Sequence, residues 1–201
     1  ARPVYAVDLA GYGYSERPEI YDVSVQAQAN YLGEFLDHLD LKRVVLVGHD
    51  IGGGVAQILA ARHPQRVDKL VLLNSIIGEH WPVLETRLLC VPGLGLLAMS
   101  LLERLMWKYI ITKGYFNRKM VTPAVIHRFR HWYQGSTGRR RLIRNARALK
   151  SADLSVWSDS IRALPVQTLF LWGREDKYLD AAPAIKQCQG MKHCRFAYIE
   201  D

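Results

Sequence analysis

Two acidic positions in this chain lie where a carboxylate could act on a substrate. Asp50 stands between Gly48 and Gly52 in a Gly-x-Asp-x-Gly pattern, after a short apolar run and before a helical one. Glycines suit these places, because a Cβ two positions from the apex of a tight turn collides with the backbone. Another apolar run is followed by Glu175 and Asp176. A carboxylate held at the apex of such a turn is a candidate nucleophile.

Two other interpretations of the Asp50 turn remain open. Asp is a good N-cap residue, so the carboxylate could simply cap the helix that follows. A glycine-rich turn that opens a helix can also bind phosphate. Neither common phosphate-binding glycine pattern fits residues 48–57, however, and Asp50 would place negative charge where the phosphate should lie. This mismatch disfavours phosphate binding, whereas the capping interpretation stays open.

The elements around these acids alternate between strand and helix. Short apolar runs predict strands at 3–8, 43–47, 67–73, 166–172 and 195–199. Caps and periodicity predict helices after Ser24, over 53–62, near 153–162 and after Pro183. The run at 43–47 has no polar interruption, which is typical of a strand buried on both faces. This alternation predicts a parallel sheet with right-handed crossovers.

The Asp50 turn resembles the nucleophile elbow of the Asp-nucleophile branch of the α/β-hydrolase superfamily, which includes haloalkane and haloacetate dehalogenases and epoxide hydrolases. Residues 8–15 (DLAGYGYS) resemble a loop of that family, and 172–176 (WGRED) resemble its Trp-Gly-x-x-Asp turn. The resemblance covers about 1–75 and 153–200. It implies an α/β fold, with a mostly parallel sheet flanked by helices and an inserted helical cap. It also implies Asp50 as nucleophile, Asp176 as triad acid and the backbone N–H of Ile51 as an oxyanion donor.

The same resemblance implies a catalytic histidine and an upstream His-Gly motif. His49 adjoins the candidate nucleophile and should point away, and His193 precedes the last predicted strand. The remaining histidines fit no triad position; they are His38, His63, His80, His127 and His131. We therefore expect the histidine and the motif to lie outside residues 1–201, in a longer enzyme.

Residues 80–150 break the alternation and carry the positive charge of the chain. They hold 14 Lys and Arg against 2 Asp and Glu, whereas the formal net charge of the whole chain is +8. The predicted domains are a first part of the core (1–79), the cap (80–152) and a second part of the core (153–201). We expect an amphipathic helix over 94–111 to cover the site, with membrane-surface contact as the less favoured alternative. Its internal charges make it too polar to span a bilayer.

The composition indicates no cofactor and no metal site. The three cysteines, Cys90, Cys188 and Cys194, lack metal-ligand spacing and predict free thiols in a reducing compartment, with a cytoplasmic location as the default. The arginine-rich stretch after Gly138 lacks an accompanying nucleic-acid fold, so nucleic acid is not an expected partner. We expect a small, apolar substrate.

The chemistry of a carboxylate nucleophile restricts that substrate. Attack on a carbon that bears a halide or an epoxide oxygen gives an alkyl ester that water can hydrolyse, whereas attack on an ester gives a high-energy anhydride. Ile51 stands where the resemblance implies a halide-binding Trp or a carboxylate-binding Arg. We therefore favour epoxide hydrolysis over haloalkane or haloacetate dehalogenation. A homologue that binds a ligand without catalysis is the alternative from another class. Candidate substrate contacts in the cap are Trp107, Tyr109, Tyr115 and Tyr133.

Overall fold

One parallel sheet organises the molecule. The computed structural model describes residues 3–15, 20–79 and 81–200. Within them, the strands are hydrogen-bonded in the order β1-β2-β3-β4, and every pair is parallel. The strands are β1 (Val44–Asp50), β2 (Val67–Ser75), β3 (Gln167–Gly173) and β4 (Cys194–Ile199). Since parallel strands share one carboxyl edge, Asp50 and the turn after β3 lie at the same edge of the sheet.

Helices connect the strands and flank the sheet. They are α1 (Val25–His38), α2 (Ile51–Arg62), α3 (Leu84–Leu89), α4 (Leu94–Leu101), α5 (Glu103–Gly114), α6 (Pro123–Arg130), α7 (Gly135–Arg147), α8 (Ala152–Ser155), α9 (Ser158–Arg162) and α10 (Ala181–Gln189). The hydroxyl of Ser24 caps α1 by accepting a hydrogen bond from the N–H of Ala27 at 3.2 Å. The carboxylate of Asp180 caps α10 in the same way, at the N–H of Ala182.

The main core lies between the sheet and α2. Leu72, Phe170 and Trp172 are buried there together with Ile58 and Leu59 of α2. Burial alternates along β3 and through the middle of β1 and β2. The core therefore holds α2, and with it the start of the helix at Asp50, firmly against the sheet.

Two strand predictions are wrong. Val47 is 62% exposed, because α2 packs against one face of β1 and leaves the other open, so β1 is not buried on both faces. The predicted strand at 3–8 is absent from the described residues 3–9, where the backbone forms no ladder with the sheet. A strand exists only through hydrogen bonds to a neighbour, and an apolar run does not reveal whether one is present.

The cysteine prediction is wrong for two of the three thiols. Cys188 of α10 and Cys194 of β4 form a disulfide, with their Cα atoms 5.4 Å apart. The short connection between α10 and β4 brings the two residues within disulfide reach. Cys90 is a free thiol.

The described residues between β2 and β3 form helices and no strand. We call α3–α7 the cap. The single helix expected over 94–111 is two helices, α4 and α5, separated at Leu102. Met99, Trp107 and Ile111 form a small buried cluster of their own inside the cap. In the described ranges, no helix has the length and apolar character needed to cross a membrane.

Candidate active site

Asp50 has the backbone of a strained turn. It is the last residue of β1 and directly precedes α2, with φ 50° and ψ −121°. A non-glycine residue at positive φ costs about 1–3 kcal/mol and is kept only where the surrounding structure enforces it. Its side chain makes no N-cap hydrogen bond, so the capping interpretation is wrong. The carbonyl of Asp50 accepts a hydrogen bond from the N–H of Ile76 at 3.2 Å, which anchors the turn to the end of β2.

Glycines make this turn sterically feasible, but not the pair that the pattern suggested. A Cβ on Gly48 would lie 2.6 Å from the carbonyl oxygen of Gly52 and 2.6 Å from the Cα of Gly53. A Cβ on Gly53 would lie 2.1 Å from the hydroxyl of Ser75, whereas one on Gly52 would meet nothing within 4 Å. Gly48 and Gly53 are therefore required by close approach, and the steric role expected for Gly52 is wrong.

The Asp50 carboxyl group is harder to ionise than an ordinary aspartate. Part of the side chain is accessible to solvent, yet burial among the surrounding atoms is the largest influence and raises the pKa of Asp50. The positive charge of His49 lowers this pKa, and the negative charge of Asp176 raises it. The two acids singled out by the sequence are thus close enough to interact. Ile51 opens α2, in the first turn where backbone N–H groups lack acceptors within the helix.

Asp176 is held rigidly by three hydrogen bonds. Its Oδ1 accepts from the backbone N–H of Tyr178 at 2.7 Å and of Leu179 at 3.1 Å. Its Oδ2 accepts from the side-chain amide of Asn74. A carboxylate has about four acceptor sites, so one direction remains for a further donor such as a histidine N–H.

Asn74 is a site residue that the sequence reasoning missed. It is the penultimate residue of β2, at φ 37°, and its Oδ1 accepts from the N–H of Gly173 at 3.1 Å while its Nδ2 donates to Asp176. The residue therefore joins the carboxyl ends of β2 and β3. A polar residue directly after the apolar run 70–73 was the available signal.

The loop at 8–15 is the third segment of the candidate site, after the Asp50 turn and the Asp176 turn. A Cβ on Gly13 would lie 2.2 Å from Oδ2 of Asp8, and the same oxygen accepts from the N–H of Tyr14 at 2.8 Å. Gln28 ties the loop to α1, because its amide bonds both the N–H and the carbonyl of Ala10. These contacts explain why Asp and Gly occur together in this loop.

The loop brings an unpredicted phenol to the site. Burial, followed by the charges of Tyr133 and Asp50, raises the pKa of Tyr12, while Arg144 lowers it. The net direction is upward, so the Tyr12 phenol is protonated at ordinary pH and its O–H is available as a donor. Tyr12 therefore lies within electrostatic range of Asp50.

The predicted cap contacts divide into two groups. Tyr133 stacks on Trp107 with ring centroids 5.7 Å apart, and Tyr115 packs against the same cluster. The indole Nε1 of Trp107 is buried and has no hydrogen-bond partner among the described residues. Tyr109 is exposed and lies 3.5 Å from Glu85 through its hydroxyl, so the structure does not bring it to Asp50.

The cap is attached to this edge of the sheet by two polar contacts. The buried amide of Asn145 in α7 donates to the carbonyl of Gly11 at 3.1 Å. The hydroxyl of Tyr178 donates to the carbonyl of Ile110 in α5 at 2.7 Å. Cap helices therefore lie over the loop at 8–15 and over the turn that carries Asp176.

Apart from His49, the described histidines play no visible part in the site. His193 precedes β4, where its carbonyl accepts a hydrogen bond from Thr168, and His127 and His131 are neighbours in the cap. His80 lies outside the described residues. No group of three His, Cys, Asp or Glu able to hold a metal ion occurs in the described part of the chain.

Comparisons with known proteins bear on this arrangement. A family model for the α/β hydrolase fold matches residues 2–94. The 2-hydroxymuconate semialdehyde hydrolase of Pseudomonas putida is 31% identical over 191 residues, covering 94% of this chain and 65% of that protein. Haloalkane dehalogenase 2 of Mycobacterium bovis is 30% identical over 128 residues, covering 61% of this chain and 40% of that protein.

A solved structure with the same fold covers nearly the whole of this chain. The haloalkane dehalogenase DbeA of Bradyrhizobium elkani matches 96% of this chain and 70% of its own, with a TM-score of 0.75 and 23% identity. The chain spans 62–65% of the length of the first curated relatives that it matches.

Proposed function

Because this chain belongs to the α/β-hydrolase superfamily, we propose that Asp50 is the nucleophile of a hydrolase that forms and then cleaves a covalent alkyl ester, with an epoxide as the favoured substrate. The strained backbone of Asp50 carries this proposal: φ is 50°, and the side chain makes no hydrogen bond that caps α2. Strain of this kind is retained where it positions a functional group.

The proposed reaction has two steps. An Oδ of Asp50 attacks one epoxide carbon, the carbon–oxygen bond of the ring breaks, and a phenol donates a proton to the departing oxygen. Tyr12 and Tyr133 are the proposed donors. Burial and the charges of Tyr133 and Asp50 raise the pKa of Tyr12, so Tyr12 stays protonated until the epoxide opens. Water then attacks the ester carbonyl, the N–H of Ile51 stabilises the resulting oxyanion, and the acyl C–O bond breaks to release the diol and the Asp50 carboxylate. The proton that the water loses returns to the phenolate, so the donor is restored.

Asp176 is proposed to orient the histidine that activates this water. Its hydrogen bonds to Asn74, Tyr178 and Leu179 fix the carboxylate in one orientation and leave one acceptor direction open. That is the role of the acid in a Ser-His-Asp triad. We propose that the histidine is supplied from outside residues 1–201.

Acyl chemistry is disfavoured by the nucleophile itself. The 2-hydroxymuconate semialdehyde hydrolase is a relative by sequence. A carboxylate nucleophile acting on an acyl carbon would generate an anhydride, whereas attack on a saturated carbon gives a stable ester. The substrate that this relative's name gives is therefore not the one that we propose for this chain.

Dehalogenation is the second candidate, and one observation favours it. The indole N–H of Trp107 is buried, lacks a partner among the described residues and lies next to Tyr133. An unpaired buried donor is costly unless a ligand completes it, and a halide ion would accept this hydrogen bond. Ile51 offers no second side-chain donor for the halide.

Mass spectrometry of a trapped intermediate tests the proposal. The intact protein is incubated briefly with panels of epoxides and haloalkanes, quenched in acid and digested with trypsin, which releases residues 44–62 as one peptide. We expect an alkyl adduct on Asp50, formed with epoxides in preference to haloalkanes. Asp50→Ala should lose the adduct and all turnover, about a 10⁴-fold loss or more, because no other group supplies the nucleophile.

A matched carboxylate provides the control. Glu175→Gln removes an exposed acid next to Asp176 and should leave adduct formation unchanged. Adducts with haloalkanes alone, together with halide release that Trp107→Phe abolishes, would select the dehalogenase. An acyl adduct on a serine, or substrate binding without any adduct, would overturn the proposed mechanism.

A further inference from the structure

The first three cap helices direct their large apolar side chains to the outside. The most exposed of them are Leu84 and Leu88 of α3, Leu94, Leu97 and Leu101 of α4, and Leu105 and Tyr109 of α5, while Leu96 of α4 is 43% exposed as well. Within each helix the seven most exposed positions recur every three or four residues, so each helix carries one outward stripe. We call these seven residues the cap leucine surface.

These side chains are not the edge of a core. Leu101 is 72% exposed, Leu84 67% and Leu105 65%. The same helices already bury Met99 and Trp107 on their inner side. A helix that is apolar on both its inner and outer faces needs an apolar environment on both. Apolar side chains exposed to this extent on packed helices indicate a binding or membrane interaction site.

Charge identifies the kind of surface that would cover it. The acids of the cap, Glu85 and Glu103, are mostly buried in ion pairs: Glu85 with Lys113, and Glu103 with Arg130 at 2.7 Å and Arg139 at 3.3 Å. Exposed basic residues adjoin the leucines; they are Arg87, Arg104, Lys108, Arg140 and Arg147. The outer face of the cap therefore presents apolar groups and positive charge together.

A groove between α4 and α7 combines both features at one place. Its volume is about 370 Å³, and Val91, Leu96 and Ile143 form its apolar wall. Three arginines from one face of α7 line it, namely Arg140, Arg144 and Arg147. The lining contains no acidic side chain. Guanidinium groups bind phosphate oxygens through paired hydrogen bonds, and the apolar wall suits the start of an acyl chain.

We propose that the cap leucine surface and this groove dock on the surface of a membrane that contains anionic phospholipid. The leucines enter the boundary between headgroups and acyl chains, and the arginines bind lipid phosphates. A second copy of the chain is a poorer occupant, because it would bring another strongly positive cap against this one. This inference does not depend on the reaction proposed for Asp50.

Vesicle flotation with the intact protein tests the proposal. Vesicles of phosphatidylcholine alone are compared with vesicles holding about 30% phosphatidylglycerol, at about 0.1 M and about 1 M NaCl. We expect flotation with the anionic vesicles at low salt and a large loss of binding with neutral vesicles. Leu101→Ser with Leu105→Ser should reduce the partition coefficient by roughly tenfold or more. Arg140→Gln with Arg147→Gln should reduce it by about fivefold per arginine.

Val156→Ser is the matched control, since Val156 is 69% exposed and lies outside the cap. It should float like the unmodified protein. Equal flotation of the Leu101/Leu105 variant and the control would overturn the proposal, and so would absence of flotation with anionic vesicles. Light scattering without lipid addresses the other occupant: a dimer that the leucine substitutions dissociate, in a protein that ignores vesicles, would assign the surface to a second copy.

Discussion

The sheet core and the cap use apolar residues in opposite ways. In the core, Leu72, Phe170 and Trp172 are completely buried and hold β2 and β3 against α2. In the cap, a small buried cluster suffices for α4 and α5, while leucines such as Leu101 remain outside. The apolar residues of the core therefore fix the geometry of Asp50, whereas many of those in the cap stay exposed, on the surface that we propose for docking.

The same contrast appears in the polar contacts. At the edge of the sheet, Asn74 and the backbone after β3 hold Asp176 through several hydrogen bonds. The cap reaches this edge through single bonds, among them Asn145 to Gly11. Substitutions in the core should thus change chemistry, and substitutions on the outer cap should change association.

The largest contrast is expected within the turn itself. Gly48→Ala puts a methyl group 2.6 Å from backbone atoms of Gly52 and Gly53, which cannot move aside. We expect a loss of about 2–4 kcal/mol in unfolding free energy and a loss of activity of roughly 100-fold or more, since the turn must open. Gly52→Ala meets no atom within 4 Å and should be neutral or slightly stabilising. Urea unfolding and initial rates measure both; equal effects would contradict the close-approach account.

Two Asn→Asp substitutions, at Asn74 and Asn117, compare the positioning of Asp176 with a polar change on the surface of the cap. Asn74→Asp replaces the amide that donates to Asp176 with a second carboxylate, so the two groups repel. We expect kcat to fall by about 10–100-fold with little change in KM, because substrate contacts remain. Asn117→Asp makes the same change on an exposed cap turn and should leave kcat unaltered. A similar loss in both variants would rule out a specific role for Asn74.

The attachment of the cap gives a smaller effect. Asn145→Ala leaves the carbonyl of Gly11 without its buried donor and should cost about 1–3 kcal/mol in unfolding free energy. KM should also rise, since Gly11 adjoins Tyr12. Leu101→Ser changes an outward side chain and should stay within about 0.5 kcal/mol of the unmodified protein. Thermal melts measure the stability of both variants, and steady-state kinetics measure KM. A large loss of stability in Leu101→Ser would mean that the cap leucine surface is structural.

The smallest expected effect is on pH dependence. If Asp50 is the nucleophile, its protonation stops the first step. The rate of adduct formation should then fall in acid with a midpoint above that of an ordinary aspartate, because burial and then Asp176 raise the pKa of Asp50. Asp176→Asn removes a negative charge and should move the midpoint to lower pH. His49→Gln removes an opposing positive charge and should move it to higher pH. Single-turnover quench experiments isolate this step; midpoints that move the other way would contradict the assignment.

Local patterns sufficed for much of the core. Apolar runs gave β1 to β4 within a few residues, and Ser24 marked the start of α1. The glycine pattern around Asp50 predicted a tight turn that the backbone confirms. These features depend on neighbours in sequence, which is why they can be read without the fold.

What the sequence did not reveal depends on contacts between distant segments. The partner of Asp176 is Asn74, which lies 102 positions away, and the amide of Asn145 bonds the carbonyl of Gly11 from 134 positions away. The open face of β1 and the missing ladder at 3–8 depend on which elements lie alongside. The single helix expected over 94–111 is divided at Leu102, and outward leucines lie on both of its parts, α4 and α5.

Oxygen-18 labelling in a single turnover tests the central claim most directly. Intact protein in excess over an epoxide is allowed to react once in oxygen-18 water. The masses of the diol and of peptide 44–62 are then measured by mass spectrometry. If Asp50 is the nucleophile, water enters at its carboxyl carbon, so the peptide gains one oxygen-18 atom while the diol carries none. A labelled diol with an unlabelled peptide would mean that water attacks the substrate directly, and Asp50 would then not be the nucleophile.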